Sequence, residues 1–352
     1  MAQKVKGLLD RLQNGETILC AEGYLFQFER RGYLKAGAFV PEIVLEHPQL
    51  LRQQYEEYVH AGSDVVLAFT YYAHRAKLEI IDREKDIEKL NRTALTIARE
   101  VANDTGKLMA GNICNTTLYN PQDPEWKQRV ALMFKEQIEW AVDAGADFII
   151  GETFGAYEEA SLALECIKKY GKGLPAVVNI AYHRAMVNNS PATFDNVELV
   201  EALRRLETEG ADVVGLNCAL GPDTMLPLIV KLKEAIKIPI AVIPVAYRTT
   251  EKEPNFQALT DPRTGKKLFP LNLDCMFCTR DDMYEFGQRC KEMGLQFVGI
   301  CCGNSAHLTR SLAESLGKSP PASRYSPNMD QHYALGKLDT NAYNVSHVKT
   351  NL

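Results

Sequence analysis

Long hydrophobic runs are missing from this sequence. No uninterrupted apolar stretch approaches the roughly 20 residues that a membrane-spanning helix requires, and the apolar segment 236–246 is broken by Pro239 and Pro244. The first residues, rich in lysine and polar side chains, have no apolar core ahead of a small-residue cleavage site, so neither a signal peptide nor a membrane partner is expected. Net charge is also small, at −5, which leaves no electrostatic reason to expect nucleic acid. HExxH, Walker A, GxGxxG and Ser-His-Asp patterns are all absent, and the seven histidines show no ligand spacing. Cysteine is present, but as an odd number, nine, scattered through strand-like segments of a long chain; that is no disulfide framework. Reduced thiols and a cytoplasmic location are the expectation.

What is present is ordinary globular usage, 46% hydrophobic and 24% charged. Eight short apolar runs, at 18–20, 65–69, 108–114, 148–154, 176–180, 213–218, 240–245 and 297–302, are separated by longer segments of helical spacing. Most runs are nearly continuous in apolar residues, as strands buried on both faces require, so a parallel sheet fits. A weak repeat, AGSDVV, AGADFI, EGADVV and MGLQFV, places a glycine at a helix end just before a strand. Eight such units predict an α/β fold of the (βα)8 TIM-barrel type over residues 1–317. Outer helices are predicted at 48–60, 85–103, 125–144, 157–170, 196–209, 224–235 and 280–293. Segment 249–274, polar and proline-rich, reads as an extended βα loop after the seventh strand, and such loops commonly bind or cover ligands. The tail 318–352 leaves the pattern and is expected either to pack on a second copy of the chain as an oligomerisation arm or to be disordered.

Function in a (βα)8 barrel resides at the C-terminal ends of strands. Those ends carry Glu22, Gly23, Tyr71, Tyr72, Asn115, Glu152, Tyr182, Asn217, Cys218, Tyr247, Cys301 and Cys302. The neighbouring Cys301 and Cys302 are badly placed to pair with each other, because the resulting ring strains a disulfide. Each cysteine taken alone reads as a small buried apolar residue. Together, three thiols at the ends of strands six and eight lie close enough in a closed barrel to share one ion, and three thiolates with an open fourth position describe a catalytic zinc site. A thiol bound in that position becomes a nucleophile at neutral pH. The Cys275–Cys278 pair is a CxxC without a second one to accompany it, and reads as packing under the long loop.

GLNC ending at Cys218, ICCG at 300–303, EGY at 22–24, RGY at 31–33 and ETF at 152–154 resemble the zinc-dependent homocysteine S-methyltransferase family. KAGAFVPE, EHP and AFTYYA, between residues 30 and 78, are most similar to its betaine–homocysteine branch, and the likeness runs from about residue 8 to 316. The resemblance implies Zn2+ on Cys218, Cys301 and Cys302, with the sulfur of homocysteine as fourth ligand and methyl transfer to give methionine. It implies homocysteine contacts from Glu22, Gly23, Glu152 and Asn217, with Glu152 on the ammonium. It implies an aromatic cage for a small onium methyl donor, drawn from Phe39, Tyr71, Tyr72 and Tyr247. Three departures stand out: Ala21–Glu22 replace the family's Asp–Gly pair, Phe39 replaces a tryptophan, and Thr153 replaces a tyrosine. Glycine betaine is the first donor expected; a sulfonium such as dimethylsulfoniopropionate or S-methylmethionine is the alternative. A barrel that keeps its zinc but senses thiols without turnover is the reading from another class.

Overall fold

A computed structural model describes residues 7–337 and 343–351; the expectations for the lead-in at 1–6 and for positions 338–342 and 352 of the tail lie outside them. Among the described residues ten strands occur in chain order: β1 (Ile18–Ala21), β2 (Val65–Leu67), β3 (Leu108–Cys114), β4 (Phe148–Phe154), β5 (Ala176–Ile180), β6 (Ala185–Val187), β7 (Ser190–Ala192), β8 (Val213–Asn217), β9 (Ile240–Ile243) and β10 (Phe297–Ile300). Eight of them close a parallel barrel in the order β1-β2-β3-β4-β5-β8-β9-β10, and β6 and β7 form a separate antiparallel hairpin. The fold is a (βα)8 TIM barrel.

The barrel forms because its strands have no face to give to water. Apart from the half-buried Thr153, every residue of the eight barrel strands is buried, so each strand packs inward against the others and outward against helices. The outer ring is Pro48–Ala61, Ile87–Thr105, Trp126–Asp143, Tyr157–Tyr170, Leu199–Glu209, Pro222–Ala235, Arg280–Glu292 and Ala306–Ser315. The first seven match the predicted helices to within a few residues at each end, and Tyr157–Tyr170 matches at both; Ala306–Ser315 was not among the predicted ranges. The repeated glycine acts as read from the sequence: Gly210 adopts φ 97°, turning the chain from helix to β8 at no Cβ cost.

Several strands end earlier than the apolar runs suggested. β8 stops at Asn217 and β10 at Ile300, so Cys218, Cys301 and Cys302 lie just beyond the ladder, on the rim. The hairpin β6–β7 was not legible, because AMVNNSPA has no apolar alternation. At the opposite end of the barrel, buried Asp64 accepts from the Leu19 N–H and pairs with Arg11, Lys107 and Lys318, at 3.1, 3.5 and 2.8 Å. Lys318 and Pro320, which packs near Gly62, thereby bind the start of the tail to the barrel floor.

His74 gives the fold a pH dependence. It is buried with neither ring nitrogen in a good hydrogen bond, and burial, helped by the charge of Lys77, pushes its pKa down to about 4. A folded-state pKa below the unfolded value costs stability as pH falls through about 6.5 toward about 4, because only the unfolded chain takes up the proton. Denaturant titrations of the wild type should lose about 2 kcal/mol between about pH 7 and about pH 5 from this group alone. His74→Gln should remove that part of the slope, and an unchanged slope in the variant would contradict the assignment.

Candidate active site at the open end of the barrel

Beyond the ends of β8 and β10 the three rim thiols converge. The Cys218 and Cys302 Sγ atoms are 3.6 Å apart, Cys301 and Cys302 are 3.9 Å apart, and all three lie within 4.8 Å of one another. A tetrahedral ion with Zn–S bonds of about 2.3 Å needs sulfur–sulfur edges of about 3.8 Å, so the donor set fits zinc in both chemistry and size. Among the described residues no fourth His, Cys, Asp or Glu joins this cluster. Cys218 sits at φ 57°, a left-handed conformation rare outside glycine, which turns its side chain off the strand toward the pair that follows β10. S–H donation from Cys301 and Cys302 holds the Cys218 thiol well below its usual range and pushes theirs up, so the metal-free cluster favours one thiolate.

Beside the thiols lie two buried carboxyl groups. Glu22, Glu152 and Cys301 place ligand atoms within 4.8 Å of one another. A register shift in β4 between Gly151 and Phe154, with Thr153 at φ 61°, is a bulge that includes Glu152. Asn112 of β3 donates to one Glu152 oxygen at 2.5 Å and Asn217 of β8 to the other at 2.7 Å, while the Asn217 oxygen takes the Thr153 N–H at 2.9 Å. Glu152 is thereby fixed on three strands. Burial raises its pKa to about 7, and burial with the neighbouring Glu152 charge pushes Glu22 well up. Among the described residues Glu22 Oε2 has no hydrogen-bond partner. Gly23, at φ 90°, lets the chain cross the rim: a Cβ there would lie 2.3 Å from the Cys301 carbonyl oxygen.

Thiols and carboxyls form the floor of a cavity of about 390 Å³. Its walls are largely aromatic. Tyr71 and Tyr72 follow β2 with ring centroids 4.4 Å apart, and Phe39 packs on Phe26 at 5.6 Å. The loop after β9 adds Phe256, Gln257 and Phe269, so segment 249–274 does contribute to the cavity. Of the sequence-predicted residues, Glu22, Gly23, Glu152, Cys218, Cys301, Cys302, Phe39, Tyr71 and Tyr72 line the cavity, and Asn217 lies beneath it on Glu152.

Tyr247 does not line the cavity. Its ring is fully buried, stacked between Phe256 and Phe277 at 5.6 and 5.1 Å, and its hydroxyl accepts from Arg30. Arg30 in turn lies 4.3 Å over the Phe277 ring and pairs with Asp274, so Tyr247 anchors the long loop from behind rather than facing a ligand. Cys275 is exposed and Cys278 buried, both as free thiols away from the cluster.

Several lining residues escaped the sequence reading: Asn112, Glu159, His183, Phe194, Phe256 and Gln257. Asn112 carried a signal, a lone amide inside an apolar strand run. The others stand on loops or a helix and carried none.

A sequence model of the homocysteine S-methyltransferase family matches residues 23–316. The chain belongs to the homocysteine S-methyltransferase family. Curated relatives are in keeping with the branch expected from the sequence. Betaine–homocysteine S-methyltransferase 1 of Xenopus tropicalis is 33% identical over 341 residues, 94% of this chain and 80% of that protein. An S-methylmethionine–homocysteine S-methyltransferase of Pongo abelii is 32% identical over 333 residues, 90% of this chain and 84% of that one. The fold is shared with the metallated form of the Escherichia coli homocysteine methyltransferase MmuM, at TM-score 0.67 and 17% identity, over 87% of this chain and 99% of that one. The thiols and carboxyl groups stand at the C-terminal end of the barrel strands, the end at which (βα)8 folds place their functional groups. Among the described residues no helix is long and apolar enough to cross a membrane.

Proposed function

We propose that this homocysteine S-methyltransferase uses zinc on Cys218, Cys301 and Cys302 and takes its methyl group from an onium donor, glycine betaine first. The observation that carries the reading is the thiol triangle, whose edges of 3.6 and 3.9 Å suit one tetrahedral zinc with a position left for substrate. Zinc bound there would supply a Lewis acid that favours the thiolate form of a substrate thiol at neutral pH.

The chain's own groups do the rest by position and charge. The unpartnered Glu22 Oε2 and the braced Glu152 carboxylate offer acceptors for the ammonium of homocysteine next to the thiols. Tyr71, Tyr72 and Phe39 line the cavity with aromatic rings, which suit a cation that has no strong hydrogen-bond donor of its own; Lys77 already lies over the Tyr72 ring at 4.1 Å. In the reaction a sulfur–methyl bond forms as the methyl–nitrogen bond of the onium breaks. The bonding pair leaves with the amine, which departs neutral, and the thiol proton goes to solvent. No strong general acid is needed, so catalysis rests on alignment of the two substrates and on keeping water away from them. A sulfonium donor leaves as a neutral sulfide by the same arithmetic and is the second reading; the Pongo abelii relative, named for S-methylmethionine, favours keeping it.

Initial rates with glycine betaine, dimethylsulfoniopropionate and S-methylmethionine offered separately test the donor. Betaine is expected to give the highest kcat/KM, and methionine formation with none of the three would overturn the reading. Tyr72→Ala should leave the metal in place and raise the donor KM by about tenfold, the value of about 1–2 kcal/mol for a desolvated cation–π contact. Metal loss in that variant would remove Tyr72 from the donor side.

A further inference from the structure

The turn after β10 holds a wholly buried amide next to its two thiols, that of Asn304. The Glu22 carbonyl, which can only accept, lies 3.1 Å from the Asn304 side-chain nitrogen, so the N–H donates there and the side-chain oxygen faces the other way. That oxygen takes the Thr309 hydroxyl at 2.9 Å. The Asn304 backbone N–H donates to the Cys301 carbonyl at 3.1 Å, and its backbone carbonyl accepts the Gln27 side-chain amide. One residue thus joins the thiol turn to the rim after β1, to helix Tyr24–Arg30 and to helix Ala306–Ser315.

Each side of this joint is itself held. The Cys301 N–H donates to the Pro244 carbonyl at 2.8 Å and the Cys302 carbonyl accepts the Ala246 N–H at 2.8 Å, which fixes the thiol turn to the chain after β9. Across the joint, the Glu22 N–H donates to the Ile300 carbonyl at 3.0 Å, so the Glu22 backbone is bonded to the β10 side through both its N–H and its carbonyl. The crossing at Gly23 leaves no slack, since a Cβ there would lie 2.3 Å from the Cys301 carbonyl oxygen and 3.2 Å from the Asn304 Cβ. Two amides brace the Glu152 carboxylate, whereas among the described residues none donates to that of Glu22, which has the Cys20 thiol 4.0 Å from one oxygen. The place of the Glu22 carboxyl, with an oxygen within 4.8 Å of the Cys301 sulfur, is therefore set through its backbone.

Resting on the zinc and homocysteine reading above, we infer that Asn304 is a positioning residue that fixes the separation between the thiol cluster and the Glu22 carboxyl, and that this fixed separation selects the length of the acceptor thiol. A substrate held by its sulfur at the metal and by its ammonium at Glu22 has one gap to span. Homocysteine carries an extra methylene between those two atoms compared with cysteine, and a rigid joint rewards one length over the other.

The test is calorimetric binding of homocysteine, cysteine and 4-mercaptobutyrate to the zinc-loaded chain, with no methyl donor present. Wild type should bind homocysteine about tenfold or more tighter than either of the others, the scale of one methylene or one charged hydrogen bond. Asn304→Leu keeps the volume of the amide but releases the Glu22 carbonyl. It should weaken homocysteine about tenfold while cysteine, 4-mercaptobutyrate and metal content stay within about twofold of wild type. Thr309→Val removes the hydroxyl that orients the amide, should shift the same ratio by a smaller factor, and decides the matter if Asn304→Leu does not fold. Equal weakening of all three thiols, unchanged homocysteine binding, loss of metal, or no preference for homocysteine in wild type would each overturn the inference. Absence of methyl transfer from every donor would overturn the proposed function instead, because the binding comparison needs no donor.

Discussion

Replacing Cys301 with alanine is expected to empty the metal site and abolish methyl transfer. The residue is 6% exposed and supplies one of three sulfurs in a triangle that has no fourth protein ligand among the described residues. Two thiols 3.6 Å apart remain, too few to hold zinc against water. Loss of an outer partner of a metal ligand typically costs 10–100-fold, and loss of a ligand itself should exceed about 100-fold in kcat/KM. The fold should survive, because removing one small buried group costs on the order of 1 kcal/mol. Metal analysis and circular dichroism on the same preparation separate the two effects. A folded variant that keeps one metal per chain would refute the ligand assignment.

Glu152→Gln should be nearly as damaging, by a different route. The carboxylate is buried and receives Asn112 on one oxygen and Asn217 on the other. A glutamine cannot accept from both amides, so one N–H would face another, and the negative charge meant for an ammonium would be gone. Removing one partner of a buried charge pair costs about 3–5 kcal/mol, so kcat/KM for homocysteine should fall by about 100-fold or more, with metal content unchanged. An acceptor thiol with no amino group, such as 4-mercaptobutyrate, makes the decisive comparison. The variant should treat it about as the wild type does. Equal losses for both acceptors would mean that Glu152 supports the site without holding the ammonium.

The legible parts of the molecule were those written in local pattern. Continuous apolar runs gave the barrel strands because a strand covered on both faces leaves no room for alternation. The three thiols stood out because cysteines at strand ends six and eight have few other reasons to meet. Less legible was whatever depends on the backbone after a strand stops. The bulge at Thr153 and the left-handed turn at Cys218 aim Glu152 and the Cys218 sulfur, and neither is a glycine position that a sequence would flag. Tyr247 leaves its strand end pointing behind the rim, where Arg30 and two phenylalanines enclose it; no spacing rule registers that reversal. His183 has no ligand spacing along the chain, and its partner Asn255 lies 72 residues away. The asparagines at 112 and 179, buried inside apolar strands, were the unread sign that the barrel interior is polar at this level.

The most direct test follows the methyl group itself. Zinc-loaded protein would be incubated with homocysteine and glycine betaine deuterated in its methyl groups, beside a sample stripped of metal by a chelator. Mass spectrometry should find the deuterated methyl on methionine in the first sample, none in the second, and recovery when zinc is returned. Unlabelled homocysteine in every sample, or labelled methionine formed at the same rate without metal, would contradict the account.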